Sequence, residues 1–582
     1  MITNPVLTGF NADPSMVRAV DKNGKAVYYI ANSTFEWFPG VQIHRSYDLE
    51  NWELITHPLT TKELLDMRGD PDSGGIWAPD LTYADGLFWL VYTDVKVTEG
   101  AFKDCTNYLI TAENIEGPWS APVKLNGAGF DASLFHDDDR KKYLIQMQWD
   151  FREYNHPFRG LLLTEYSVSE KRLLPETAKI IYKGTNVKLV EGPHLYKING
   201  SYYIFAAEGG TVYTHQEVVA KSDSLWGGYK TQPGNADNPG GAFLGAFNHS
   251  ENYLQKCGHG SLIQHENGDW YFAHLTGRPL HHATEPRRDP RGFCPLGRET
   301  AIQKVEWDSD GYPHIAGGRQ GARYVQSPGD ITPPGNNAKK SPSGSDPSKR
   351  GGAYPLVKFT SSNPLDINLN TLREPFSEKI GSLTAREGYL RLFGLGSLTN
   401  NHDLSLVARR WQAFNFCAET AVEFEPHSFQ QMAGLTCYYN SRHWTFAYVT
   451  LDDDGRMIIE VSECDRGVYT SHLRQNAIVV PDSAKSVYLK VTVKCGEPSN
   501  DSGDISVLTE DTDPVYRYQY SFDGGNWHTI GVDFDPLKLS DDYVLQSYGG
   551  FFTGAFVGVA AVDVSGYCAP ADFAYFRYEE TD

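Results

Sequence analysis

The amino-acid sequence predicts an all-β protein, a five-bladed β-propeller followed by a β-sandwich. Three observations carry that prediction. Short apolar segments rich in aromatic and β-branched residues recur throughout, flanked by turn residues. In the first part of the chain they fall into five similar units. A stretch rich in Gly, Pro, Ser and Lys then separates these units from further strands that lack their signature.

Each unit opens with a small or acidic residue and a short apolar strand, then turns into an aromatic strand. The openings are Ala12–Val17, Ala78–Tyr83, Phe130–Phe135, Glu191–Tyr196 and Gly258–Ile263. The aromatic strands are Val27–Ile30, Leu87–Tyr92, Lys142–Ile145, Tyr202–Phe205 and Asp269–Ala273. A spacing of roughly 50–70 residues fits four-stranded blades with long insertions. In such a ring the inner strands surround one channel, so residues at the openings converge although they are far apart in sequence. Helix is nearly absent; Lys62–Met67 suggests a turn or two.

The units end near Pro313, so residues 1–313 are assigned to the propeller, 314–353 to a Gly/Pro/Ser-rich linker and 354–582 to the sandwich. The second set of strands includes Tyr389–Leu392, Thr420–Phe424, Trp444–Val449, Ser486–Val491 and Phe556–Val562. Several alternate with period 2, as strands do when one face is buried and the other wet.

Composition narrows the partners. With 13% aromatic and 21% charged residues, the chain of 582 residues is not globally disordered and is long enough for two or more domains. Its 52 basic and 73 acidic residues leave a formal net charge of −21. Such a surface repels phosphate backbones and anionic lipid, which argues against nucleic acid and membrane as partners. No apolar run approaches the length of about 18 residues that a spanning helix needs. The first residues, MITNPVLTGFNADPS, carry no secretory signal, and the eight cysteines are scattered without metal-ligand spacing. The expectation is a cytoplasmic protein with free thiols.

Three carboxylates stand at unit openings: Asp13, Asp131 and Glu191. Singly, each would be read as a turn carboxylate capped by backbone amides. Three at repeat positions aimed at one channel point instead to acid–base chemistry, because burial raises a carboxyl pKa toward the range a general acid needs. Asp80, at a fourth opening, is compatible with the same ring. Phe35 and Trp77 offer aromatic faces for sugar C–H surfaces, with core packing as the alternative. Arg298 offers forked donors, with a surface ion pair as the alternative. His259, between two glycines, is either a satisfied core histidine or a contact to metal or substrate. The runs Asp137–Asp139 and Asp452–Gly455 look calcium-like but lack full spacing and read as hairpin turns.

The segments Asn4–Ser15, Gly75–Leu81, Phe130–Phe135 and Glu191–Tyr196 together resemble glycoside hydrolase family 43. Ser33–Gly40, Glu208–Thr211 and Leu296–Thr300 resemble its two-domain β-xylosidases more narrowly, and the likeness covers nearly the whole chain. The resemblance implies a five-bladed propeller with a concanavalin-like β-sandwich. It implies Asp13 as general base, Glu191 as general acid and Asp131 as the carboxylate that orients the acid and raises its pKa. Phe35, Trp77, Thr211, His259 and Arg298 match residues lining the sugar pocket. A sandwich loop of the subgroup places a phenylalanine against that pocket; Gly550–Phe556 matches it, and between Phe551 and Phe552 the choice here is Phe552.

The activity so implied is exo-acting, inverting release of xylose from the non-reducing ends of β-1,4-xylo-oligosaccharides, with α-L-arabinofuranosidase side activity. Two rivals stand beside it: an arabinofuranosidase of arabinan or arabinoxylan side chains, and a non-catalytic carbohydrate-binding propeller. No cofactor is required; the family admits Ca2+ near His259, which the sequence leaves open, as it does a homo-oligomer.

Overall fold

The computed structural model describes residues 2–234, 240–249, 252–282, 292–316, 354–361, 365–496, 513–547 and 549–581. Five antiparallel sheets form the propeller. Blade I comprises Ser15–Val20, Ala26–Asn32, Gln42–Ser46 and Glu53–Thr56, and blade II comprises Gly75–Ala84, Leu87–Val95, Cys105–Ala112 and Val123–Asn126. Blade III starts with Ser133–His136 and Lys142–Trp149, blade IV with Glu191–Ile198 and Ser201–Glu208, and blade V with Gln255–Gln264 and Trp270–Gly277. All five expected aromatic strands are therefore the second strands of blades, and the openings lead into the innermost ones.

Local chemistry sets these hairpins. Asp85-Gly86 and Asn199-Gly200 join first to second strands of blades II and IV with positive φ at both residues (55° and 77°, 51° and 84°). That geometry matches the right-handed twist of the flanking strands. Between neighbouring blades lie separate apolar clusters, for example Val27, Leu81, Phe88 and Leu90 between I and II, and Phe205, Val219, Leu262 and Phe272 between IV and V. The N-terminal segment closes the ring: Val6 and Leu7 donate to the Thr300 carbonyl of blade V at 2.8 and 3.2 Å.

The sandwich packs an eight-stranded sheet on a seven-stranded one. Their inner faces meet in a core that includes Phe416, Leu435, Val491, Tyr518, Val559 and Phe573. The two parts are seated on each other directly. Trp37–Phe38 of the propeller pairs as a strand with Thr371–Leu372, and the Trp37 ring stacks on Phe556 at 3.6 Å. Among the described residues one α-helix is present, Asp541–Leu545, with Ser540 as its N-cap. The Lys62–Met67 segment makes a turn rather than a helix. Of the expected linker, His314–Ala316 continue blade V, whose outer strand is Pro313–Ile315, while residues 317–353 lie outside the described residues.

Candidate active site

One cavity of about 420 Å³ opens at the centre of the ring, on the face covered by the sandwich. Asp13, Asp131 and Glu191 from three blades line it. So do Phe35, Trp77, Thr211, His259, Arg298 and Phe552, which brings all nine sequence-predicted residues into one space.

The backbone explains the convergence and corrects one expectation. Positive φ recurs at Asp13 (53°), Ala78 (30°), Asp131 (54°), Gly192 (56°) and His259 (47°), one residue in each blade opening. This repeated left-handed residue turns the chain over the channel before the inner strand begins. Asp13 and Asp131 are thus equivalent, but Glu191 lies one residue earlier than they do, its repeat counterpart being Gly192. Glycine is needed there: a Cβ on Gly192 would meet the His259 ring at 2.7 Å. Asp80 lies two residues beyond the left-handed position and does not join the ring. It accepts hydrogen bonds from Ser15 Oγ (3.0 Å) and the Leu134 amide (2.8 Å), tying neighbouring blades together beneath the cavity.

The three carboxylates differ in environment. Burial pushes Asp13 up, but Arg298, His259 and the Ser33 hydroxyl together outweigh it and hold the carboxyl below the usual range. Arg298 Nη1 donates to Asp13 Oδ1 at 3.0 Å, Ser33 Oγ donates to Oδ2 at 2.7 Å, and His259 Nδ1 lies 3.5 Å from Oδ1. Asp131 Oδ2 accepts the Gly192 amide at 3.0 Å, and burial raises Asp131 to about 6. Glu191 stands well above the ordinary carboxylate range, through burial first and then the like charges of Asp131 and Asp13. The site therefore holds an aspartate pushed toward its ionised form and a glutamate pushed toward its protonated one.

Phe552 comes from the sandwich. Its ring stacks on Phe35 at 5.9 Å and meets Trp77 edge-on at 5.4 Å, and its carbonyl accepts Arg298 Nη2 at 2.9 Å. Phe551 also lines the cavity, 4.5 Å from Phe552. Arg298, 2% exposed, is no surface ion pair, and its guanidinium lies over Phe35 at 5.4 Å. Sequence reasoning missed Lys103, Trp149 and Phe158 as lining residues. Lys103 sits over Trp149 at 4.9 Å, and burial pulls its ammonium below the ordinary value. It belongs to the connection between Leu87–Val95 and Cys105–Ala112, where no motif marks it. Asp137–Asp139 and Asp452–Gly455 are hairpin turns, with Asp137 bound to Lys197 at 2.9 Å and Asp452 closing on Arg456.

A propeller channel with a split pair of carboxylates and an aromatic-walled pocket defines a glycoside hydrolase. Residues 2–313 match the model of glycosyl hydrolases family 43, and residues 357–579 that of the beta xylosidase C-terminal concanavalin A-like domain. The chain belongs to glycosyl hydrolase family 43. It is 49% identical to a beta-xylosidase of Bacillus subtilis (strain 168), over 100% of this chain and 99% of that one. The crystal structure of a xylan beta-1,4-xylosidase from Bacillus halodurans C-125 matches with a TM-score of 0.86 and 43% identity, covering 100% of both chains. A non-reducing end alpha-L-arabinofuranosidase of Bacteroides ovatus is 29% identical over 100% of this chain and 95% of that one.

Proposed function

We propose that this glycoside hydrolase removes single xylose units from the non-reducing ends of β-1,4-xylo-oligosaccharides by an inverting mechanism, with α-L-arabinofuranosidase side activity. One observation carries the reading: Asp13 and Glu191 face one small cavity with their ionisation pushed in opposite directions. In this role Asp13 takes a proton from water as it attacks the anomeric carbon. Glu191 gives its proton to the departing glycosidic oxygen on the other face of the ring. Inversion requires room for that water, about 6.5–9.5 Å between the carboxyl groups. Asp131 acts through its neighbours: it fixes the Gly192 amide next to Glu191, and its charge pushes the acid's pKa up.

The exo mode is supported by the small cavity and by Phe551 and Phe552, which the sandwich adds to its wall. Arg298 and Thr211 supply polar contacts to sugar hydroxyls, and Phe35, Trp77 and Phe552 the apolar wall. The relatives' names support both the xylosidase reading and the arabinofuranoside side activity. The arabinofuranosidase and silent-binding alternatives are not favoured.

The chemistry of these carboxylates needs no cofactor. Calcium takes six to eight oxygen ligands. At His259, Asp13 Oδ1 lies 3.5 Å from Nδ1 and also accepts Arg298 Nη1. A calcium ion held there would take most of its oxygen ligands from water, and no step is routed through a metal. The eight cysteines are all thiols, six of them buried. Proton NMR of xylobiose hydrolysis tests the proposal. Beyond the equilibrium mixture that the departing reducing-end unit brings, the early product should carry an excess of α-xylose, which later equilibrates; an early excess of β-xylose would overturn inversion, and no hydrolysis would overturn the activity.

A further inference from the structure

Beside the catalytic cavity lies a second recess of about 340 Å³, whose lining includes Phe158, Arg159, Lys183, Lys188, Leu189 and Val190. Phe158 and Leu189 also line the catalytic cavity, so the two spaces share a wall. Val190 directly precedes Glu191, which places the recess on the side of the proton donor. Under the mechanism proposed above, on which this inference rests, that is the side from which the leaving group departs.

The recess is cationic in a chain with a net charge of −21. Among the described residues, neither Lys183 nor Lys188 forms an ion pair with a carboxylate. The nearby acids are already engaged. Asp150 is held by Arg152 Nε and Nη2 at 2.8 and 2.5 Å, which leaves Arg159 at 3.9 Å. Glu208 accepts the Thr185 amide and hydroxyl, both at 2.5 Å, although it feels the charge of Lys188. Asn155 and His156 add polar groups to the lining. The backbone here is also strained. Lys188 (φ 71°) and Leu189 (φ 60°) are consecutive non-glycine residues in the left-handed region, a conformation L-residues rarely adopt in succession. The Lys188 carbonyl is held there by the Gly209 amide at 3.0 Å. The strained pair sends Leu189 to the catalytic cavity and Lys188 to the recess, two and three residues before the acid.

We propose that this recess is a leaving-group subsite for a carboxylate, and that the enzyme accepts xylo-oligosaccharides bearing a uronic acid on the departing side of the scissile bond. Arg159, Lys183 and Lys188 would face the carboxylate, and Phe158 and Leu189 the sugar ring between the two spaces. A local cluster of cations offsets the repulsion that an acidic protein would otherwise exert on an acidic sugar.

The test compares kcat/KM on neutral xylotriose with that on a xylotriose carrying glucuronic acid on its reducing-side xylose. Wild type should cleave the acidic substrate at least as well as the neutral one, with an advantage that shrinks in 0.5 M NaCl as screening requires. In Lys183→Gln/Lys188→Gln the acidic-to-neutral ratio should fall about five- to tenfold, a few exposed charge contacts' worth, and Lys183→Arg/Lys188→Arg should restore it. An unchanged ratio, or rejection of the acidic substrate by wild type, overturns the proposal. Failure on neutral xylotriose would instead sink the activity reading. The recess is then still tested by calorimetric titration of the branched acid into wild type and the double Gln variant, where equal affinities overturn it. Free glucuronate binding as tightly as the branched oligosaccharide would mark a general anion site and overturn it too.

Discussion

Arg298 donates one guanidinium nitrogen to the Phe552 carbonyl at 2.9 Å while the other Nη holds Asp13 at 3.0 Å. A single buried side chain thus joins the sandwich loop to the carboxylate assigned as base. The domain that contributes Phe552 to the pocket wall also helps fix the cation that keeps Asp13 ionised. That coupling gives the second domain a chemical role besides covering the channel.

Replacing Arg298 should therefore act on the acid limb of the pH–rate profile. Without the guanidinium, burial dominates Asp13 and its pKa rises. The base is then ionised only at higher pH, so in Arg298→Gln the acid limb of kcat/KM moves to higher pH, with a loss of about 10²-fold at neutral pH. A profile of unchanged shape would detach Arg298 from Asp13's ionisation.

Removing Glu191 should separate substrates by leaving group. Glu191→Ala is expected to lose about 10²–10⁴-fold on xylobiose, the usual contribution of a general acid. The loss on an aryl xyloside whose phenolate departs unaided should be far smaller. Equal losses on the two would remove Glu191 from the acid role.

Asp131 raises Glu191 by its like charge, so Asp131→Asn should lower the pKa of the acid. Glu191 then deprotonates earlier as pH rises, and the alkaline limb of kcat shifts to lower pH. An alkaline limb that stays in place would reduce Asp131 to support of the Gly192 backbone alone.

Phe552→Ala deletes the ring that stacks on Phe35 and meets Trp77. Its carbonyl, and so its bond to Arg298, belongs to the backbone and is retained. The expected result is a raised KM and a fall of about tenfold in kcat/KM, ~1.4 kcal/mol, with the pH profile kept. Unchanged KM on xylobiose would show that the ring does not contact substrate.

Much of this protein could be read from its residues alone. Alternating and aromatic segments determined that it is β throughout, and five recurrent openings determined the blade count, because each blade must repeat the same burial pattern to pack against its neighbours. Those openings also marked Asp13, Asp131 and Glu191, since a carboxylate at the start of an apolar strand breaks the local pattern. Spacing alone treated the three as equivalents and left Asp80 as a fourth; the left-handed residue that recurs in the backbone separates them. Which acid is charged depends on distances no local pattern encodes: Arg298 to Asp13 across the closed ring, and Asp131 to the amide beside Glu191. Lys103 and the phenylalanines of the sandwich loop reach the cavity only because the chain folds back upon itself, for a pocket is made of surfaces that meet in space, and a linear code records neighbours along the chain.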